Sequence, residues 1–326
     1  MTDSLKNDLA VVYLARGIDG GVAKARAFFE AYDRHPAGCE HDLVVIVKGW
    51  GAELGLDTVL SMTESRGGNV LELPDDGFDI GAYFRVARQL PYEWFFFMNS
   101  HSRPEKNQWL SIVQKAAQSS GVGAVSCTGS WATRNLGAYP LIVHIHLSNH
   151  WLLGIKSYLK TRVKPHEIDM PMYPNPHLRT NAFMISRKLW LEFALQFGIP
   201  TSKEECYDIE HGKKSLTRFL DERKLLPIVT GADGVLYPPA LWNRSKTSYS
   251  PGLANLLVCD NESERYTAAD PEVRRKLEIE SFGKPKSRDF VLQRVKTFPL
   301  LYGELKKLAI KLILRMSKQK EKRKHK

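Results

Sequence analysis

Apolar residues in this chain come in short unbroken runs separated by amphipathic stretches. The first run, Leu9-Ala-Val-Val-Tyr-Leu-Ala15, is β-branched and continuous, the pattern of a strand covered on both faces. Glycines at 17, 20 and 21 follow, then Ala27, Phe28, Ala31 and Tyr32 at helical spacing. Further strands are predicted at 42–47 and 69–73, and Pro74 to Phe84 reads as a turn opening a helix that continues to Leu90. Trp94-Phe-Phe-Phe-Met98 is too apolar for anything but a central strand, and Asn99-Ser-His-Ser-Arg-Pro104 halts it. A helix at 109–117 and a strand at 123–127 follow. In the second half, strands are predicted at 181–186 and 225–230, and helices at 188–197 and 203–223. Strands alternating with helices at this spacing predict an α/β fold on a mostly parallel sheet, with ligands at the carboxyl ends of the strands.

Composition narrows the class. With 326 residues, 43% hydrophobic and 25% charged, the chain has the make-up of a folded protein with a sizeable core, not of a disordered or collagen-like one. The four cysteines, Cys39, Cys127, Cys206 and Cys259, show no CxxC pair or metal-ligand spacing, so they read as buried thiols in a reducing compartment. The opening MTDSLKND lacks the basic-then-apolar order of an export signal, and no run reaches the ~20 apolar residues of a membrane span.

The polar residues that follow strands are the candidates for chemistry. In order they are Ala15-Arg-Gly17, Lys48-Gly-Trp50, Asp79-Ile-Gly-Ala-Tyr83, Asn99-Ser-His-Ser102 and Glu210-His211. This succession resembles nucleotide-sugar glycosyltransferases of the GT-A fold, and within them the bacterial surface-polysaccharide, rhamnan-synthesis-like type. There, a D-I-G/A-x-Y/F segment precedes an apolar strand ending in a His-Ser pair. The resemblance covers roughly residues 9 to 245. It implies a GT-A domain over 1–290, with a nucleotide-binding half at 1–128 and an acceptor half at 129–290. The donor would be held by Ala15, Arg16, Gly17, Lys48, Asp79, Gly81, Asn99, Ser100, His101 and Arg103.

The Asp-x-Asp that holds a divalent metal in that superfamily is replaced here by Asn99-Ser-His-Ser102. Hard cations such as Mg2+ or Mn2+ take oxygen ligands, whereas Asn99 offers a neutral oxygen and His101 an imidazole. Three readings stand: a weak metal site using Asn99 and His101, metal-free donor binding, or no transfer chemistry at all. Asp79 reads either as a helix N-cap or as an acceptor for the donor's base or ribose. Gly81 would let backbone approach a ligand. Inverting transfer needs a base on the acceptor hydroxyl. Glu210 is the candidate, through the likeness of Glu-His-Gly-Lys-Lys-Ser-Leu-Thr-Arg to the Glu-Asp and downstream Arg of inverting relatives, with Asp208 in reserve. The alternative is a helical ion-pair cluster.

In Pro174-Asn-Pro-His-Leu-Arg-Thr-Asn181, Arg179 suits a diphosphate fork, while His177 and Asn181 would orient an acceptor. His144 and His146 alternate along a strand-like segment and would face one side, as two metal ligands or as structural or acceptor-lining residues, while Trp242 and Tyr237 read either as sugar-stacking aromatics or, more commonly, as buried packing. Asp260 opens a polar stretch that reads equally well as site or surface.

The net charge of +11 is concentrated at one end: from 306 to 326 there are ten Lys and Arg against the single acid Glu321. Leu301, Leu305, Leu308, Leu312, Ile313 and Met316 share one helix face, so residues 291–326 read as a basic amphipathic helix and polybasic tail suited to an anionic membrane surface. No base-reading motif points to nucleic acid. The expectation is a cytoplasmic enzyme, peripheral at the inner face of the plasma membrane, acting on a nucleotide diphosphate sugar and a glycan or lipid-linked acceptor. The rival is a catalytically silent GT-A-like glycan-binding scaffold. A dinucleotide enzyme is disfavoured because Gly17-x-x-Gly20-Gly21 is not GxGxxG.

Overall fold

A seven-stranded sheet forms in the order β10-β6-β9-β4-β1-β2-β3 in the computed structural model of the chain, which describes residues 7–51, 54–133, 170–171, 173–250 and 253–283. Its strands are β1 (Leu9–Arg16), β2 (Asp42–Lys48), β3 (Asn69–Glu72), β4 (Trp94–Met98), β6 (Val122–Ser126), β9 (Ala182–Ser186) and β10 (Leu226–Val229). β1 pairs in parallel with β2 and β4, β2 with β3, and β6 with β10, while β9 runs antiparallel between β4 and β6. The mostly parallel α/β architecture expected from the apolar runs is the one observed.

Helices α1 (Gly21–Arg34), α2 (Leu56–Glu64), α3 (Phe78–Gln89), α4 (Trp109–Ala117) and α5 (Arg187–Ala194) flank the sheet, followed by α6 (Lys203–His211), α7 (Leu216–Glu222), α8 (Asn261–Ala268) and α9 (Pro271–Phe282). Two short ladders are also present among the described residues: β5 (Arg103–Pro104) with β11 (Val258–Cys259), and β7 (Gly129–Ser130) with β8 (His177–Leu178). The continuous apolar runs are what a doubly covered sheet requires. β1 and the body of β2 and β4 are buried on both faces. Phe28 stacks on Tyr13 at 3.7 Å on one side. On the other, Phe97, Tyr83, Phe183 and Trp190 form an aromatic cluster with centroids 4.5 to 6.1 Å apart. β3, at the sheet edge, is largely exposed.

The single helix predicted at 203–223 is two. α6 stops at His211 because Gly212 is extended, and a Cβ there would lie 2.4 Å from the Asp208 carbonyl oxygen. α7 starts after Ser215.

Two compact units divide the chain: residues 1–130 with 176–274, and residues 131–175 with 275–326. The sheet belongs to the first. In the second, the Trp131 indole is buried edge-on against Phe282 at 5.5 Å. His144, His146 and the basic tail lie outside the described residues.

Candidate active site

Because β9 is antiparallel, the loop before it arrives at the same sheet edge as the loops that follow β1, β2 and β4. That edge gathers Arg16, Lys48, Asn99 to Arg103 and Arg179 to Asn181. The β4 turn and the 179–181 segment are laced together. The Asn99 N–H donates to the Asn181 carbonyl at 3.1 Å, and Ser102 Oγ donates to the same oxygen at 2.7 Å.

Glu210, in the last turn of α6, accepts a hydrogen bond from Thr180 Oγ1. Burial raises its proton affinity, the negative charge of Asp79 raises it further, and Arg179 works in the opposite sense. Burial likewise pushes the Asp79 carboxyl above its ordinary range. Burial beside a second carboxylate raises a carboxyl's proton affinity, which makes it a better base than an exposed one. Asp208 is two residues from Glu210, about 200° around the helix, and is exposed.

Arg179 is held by its backbone on both sides. Its N–H donates to the Thr128 carbonyl at 3.2 Å, and its carbonyl accepts from Ser126 Oγ at 2.8 Å. Its Nη2 lies 3.4 Å from Asp260 Oδ2. Burial alone would weaken the guanidinium's hold on its proton, but the charges of Asp260, Glu262 and Glu210 outweigh that and hold it protonated. Asp260, 1% exposed, is the residue whose placement was undecidable from sequence. It caps α8 by accepting the Ser263 N–H at 2.8 Å and takes the Asn181 amide at 2.6 Å. Asn181 Oδ1 accepts from Thr128 Oγ1 at 3.1 Å, so its polar atoms are bound to the protein.

The other cations at this edge are engaged. Arg16 forks onto Asp75 at 2.7 and 3.1 Å and approaches Asp19 at 3.4 Å. Lys48, with a side chain 0% exposed, donates to the carbonyls of Asp76 and Phe78 at 2.8 and 2.6 Å and lies 3.7 Å from Asp75. Its role is to fix the loop ahead of α3, and burial lowers its proton affinity. Arg103 pairs with Glu264, and with Glu105 at 3.5 Å. Beside Arg16, a cleft of about 380 Å³ is lined by Asp75, Phe78, Ile199 and Pro200.

Several expected residues have other tasks. Gly77, not Asp79, caps α3, and Asp79 lies in the first turn. Gly81 lacks a side chain because Ile199 would meet its Cβ at 3.1 Å, which makes it a packing position. At Gly17 a Cβ would stand 2.5 Å from the Gly49 oxygen, so the β1 and β2 ends can approach only with glycine there. The Ala15 carbonyl accepts from the Trp50 indole at 2.8 Å, and the Ser100 carbonyl from Tyr13 at 3.2 Å. The expectation that Trp242 stacks on a sugar is corrected: it is 1% exposed, packs in the interior and donates to the Tyr237 carbonyl at 2.8 Å. His177 is buried with its ring 5.1 Å from that of His211.

Asn99, Ser100, His101 and Ser102 do not make a metal site on their own. Asn99 Oδ1 accepts from the His101 N–H at 3.1 Å and lies 2.9 Å from Ser102 Oγ, whose one proton it shares with the Asn181 carbonyl, so the side chain is turned into its own turn. Among the described residues no group of three His, Cys, Asp or Glu is placed to hold a metal ion. His101 Nδ1 is buried and has no hydrogen-bond partner there.

No family model and no curated protein matches the chain. Solved structures do. Glucosyl-3-phosphoglycerate synthase from Mycobacterium tuberculosis, solved with Mn2+, uridine diphosphate and glucosyl-3-phosphoglycerate, is 14% identical with a TM-score of 0.32, over 56% of this chain and 58% of that one. The mannosyltransferase PcManGT from Pyrobaculum calidifontis, with GDP-Man and Mn2+, is 12% identical with a TM-score of 0.42, over 96% of this chain and 83% of that one. The 4-diphosphocytidyl-2C-methyl-D-erythritol synthase from Anaerococcus prevotii is 13% identical with a TM-score of 0.38, over 71% and 90%. This chain thus spans less than two thirds of the mycobacterial synthase. All three scores lie below 0.5, so the chemistry rests on the residues described above.

Proposed function

We propose that this chain is a glycosyltransferase of the GT-A type that moves a sugar from a nucleotide diphosphate sugar to a glycan or lipid-linked acceptor of a surface polysaccharide. The observation that carries the reading is Glu210, held by Thr180 beside Arg179 at the ligand-bearing edge of the sheet with its proton affinity raised. A carboxylate so tuned takes the acceptor hydroxyl's proton while that oxygen attacks the sugar's anomeric carbon. The bond to the diphosphate breaks, and its electron pair leaves with the phosphate oxygen. We read the transfer as inverting, which requires the base to reach the acceptor from the face opposite the leaving group. Asp79 tunes Glu210 through its charge. Lys48, Gly17 and Gly81 shape the donor loops, and Arg16 borders the cleft.

A screen of uridine, guanosine and thymidine diphosphates and their sugars by thermal shift tests this reading. The matching nucleotide stabilises the fold by about 2.7 kcal/mol at a hundredfold excess over its dissociation constant. No stabilisation by any of them removes the reading.

The second reading, a silent glycan-binding scaffold, is favoured by the Asn99 turn, in which the superfamily's two carboxylates are gone.

We place the enzyme at the inner face of the plasma membrane through its basic tail. Among the described residues no helix is long and apolar enough to cross a membrane. Deleting residues 298–326 is expected to abolish co-sedimentation with vesicles rich in anionic lipid and to leave nucleotide binding unchanged. Retained sedimentation would contradict this role for the tail.

A further inference from the structure

Breaking the sugar–diphosphate bond adds negative charge to the leaving phosphate, and a transferase must meet that charge with cations or dipoles placed in advance. At the ligand-bearing edge, Arg16, Lys48 and Arg103 are each engaged by two or more acceptors. Arg179 differs. Among the described residues its one ion-pair partner is Asp260, met by a single nitrogen at 3.4 Å, and its side chain is 22% exposed. The remaining guanidinium N–H groups are left for a ligand. Its backbone is fixed from Thr128 and Ser126, and its neighbour Thr180 holds Glu210. One residue further on, the Asn181 carbonyl ties the segment to the β4 turn, where His101 Nδ1 is buried and has no hydrogen-bond partner among the described residues.

We propose that Arg179, assisted by His101, carries the charge of the donor's diphosphate and of the departing phosphate, in place of a divalent metal. This rests on the glycosyltransferase reading and specifies how its donor is held. A planar guanidinium binds two phosphate oxygens at once, which a lysine ammonium does not reproduce. Asp260 supplies the counter-charge for this half-buried arginine, and it does so from one corner only. The Asn99 side chain, a neutral oxygen that takes the His101 N–H of its own turn, agrees with a site that does not call on it as a metal ligand.

The test is isothermal titration of the full chain with uridine, guanosine and thymidine diphosphates and with the parent nucleosides, in EDTA and in Mn2+. The expected result is diphosphate binding in EDTA within about twofold of that in Mn2+. Arg179→Gln should weaken it roughly 30-fold, Arg179→Lys by a smaller factor and His101→Ala by about fivefold, with nucleoside affinity unchanged throughout. Binding that requires Mn2+, or an Arg179→Gln protein that folds and binds diphosphate as the parent does, overturns the proposal and leaves the glycosyltransferase reading intact. If Arg179→Gln does not fold, Arg179→Lys and His101→Ala decide: diphosphate affinity equal to the parent's in both overturns the proposal. Failure of every nucleotide to bind under both conditions removes the glycosyltransferase reading itself.

Discussion

Glu210→Gln should lower sugar transfer, or the slower hydrolysis of the same donor by water, by roughly 10²- to 10⁴-fold, while donor affinity stays within about twofold. The amide keeps a carbonyl oxygen to accept from Thr180 Oγ1, so the local structure survives. It also removes a negative charge that acts against Asp79, so the melting temperature should hold or rise. The pH dependence follows from the same interactions. Glu210 must be ionised to take a proton, and burial and then Asp79 raise its proton affinity, so the rate climbs with pH along an acidic limb above the usual carboxylate range. The variant should lose that limb. Because the folded form holds these two protons more tightly than the unfolded chain, Asp79 and Glu210 favour folding below the ordinary carboxylate pKa and withdraw that contribution as pH rises through their raised values. Parent and variant both without turnover on a donor that binds would favour the scaffold. An active variant with an unchanged pH profile would remove Glu210 from the chemistry.

How much of this was legible in the sequence depends on how each feature is encoded. Doubly covered strands need continuous apolar runs, so β1, β2, β4 and β9 were found within a residue or two of their ends. The two-residue ladders β5–β11 and β7–β8 carry no periodicity and were not. Gly212 was present as a signal to end α6, but helical charge spacing on both sides of it masked the break. Strand direction has no local signature. That β9 runs against its neighbours, which places Arg179, Thr180 and Asn181 beside the β4 turn, emerges only from the assembled sheet. Thr180 was missed for the same reason, since a hydroxyl on Glu210 is a contact across 30 residues of chain. Asp260 was ambiguous because polar composition is shared by surfaces and sites, and only its burial separates them.

Asp260 is also where a single substitution should cost most. It sits 79 residues from Asn181 and takes that residue's amide at 2.6 Å, the α8 N–H of Ser263 at 2.8 Å, and the Arg179 charge at 3.4 Å. Asp260→Ala strands all three at once: a half-buried guanidinium loses its counter-charge, a buried amide its acceptor and a helix its cap. Breaking a buried ion pair from one side costs about 3–5 kcal/mol, chiefly through the charge left behind. The melting temperature should fall by roughly 10 °C. Asp260→Asn separates the contributions. Its carbonyl can still cap α8, but it no longer offsets Arg179, and its amide cannot accept from Asn181. Its melting temperature should therefore lie between those of the parent and Asp260→Ala, with diphosphate affinity already reduced at temperatures where the protein is fully folded, because Arg179 is no longer held at its corner. An Asp260→Ala protein that melts with the parent would show that neither the pair nor the cap supports the fold.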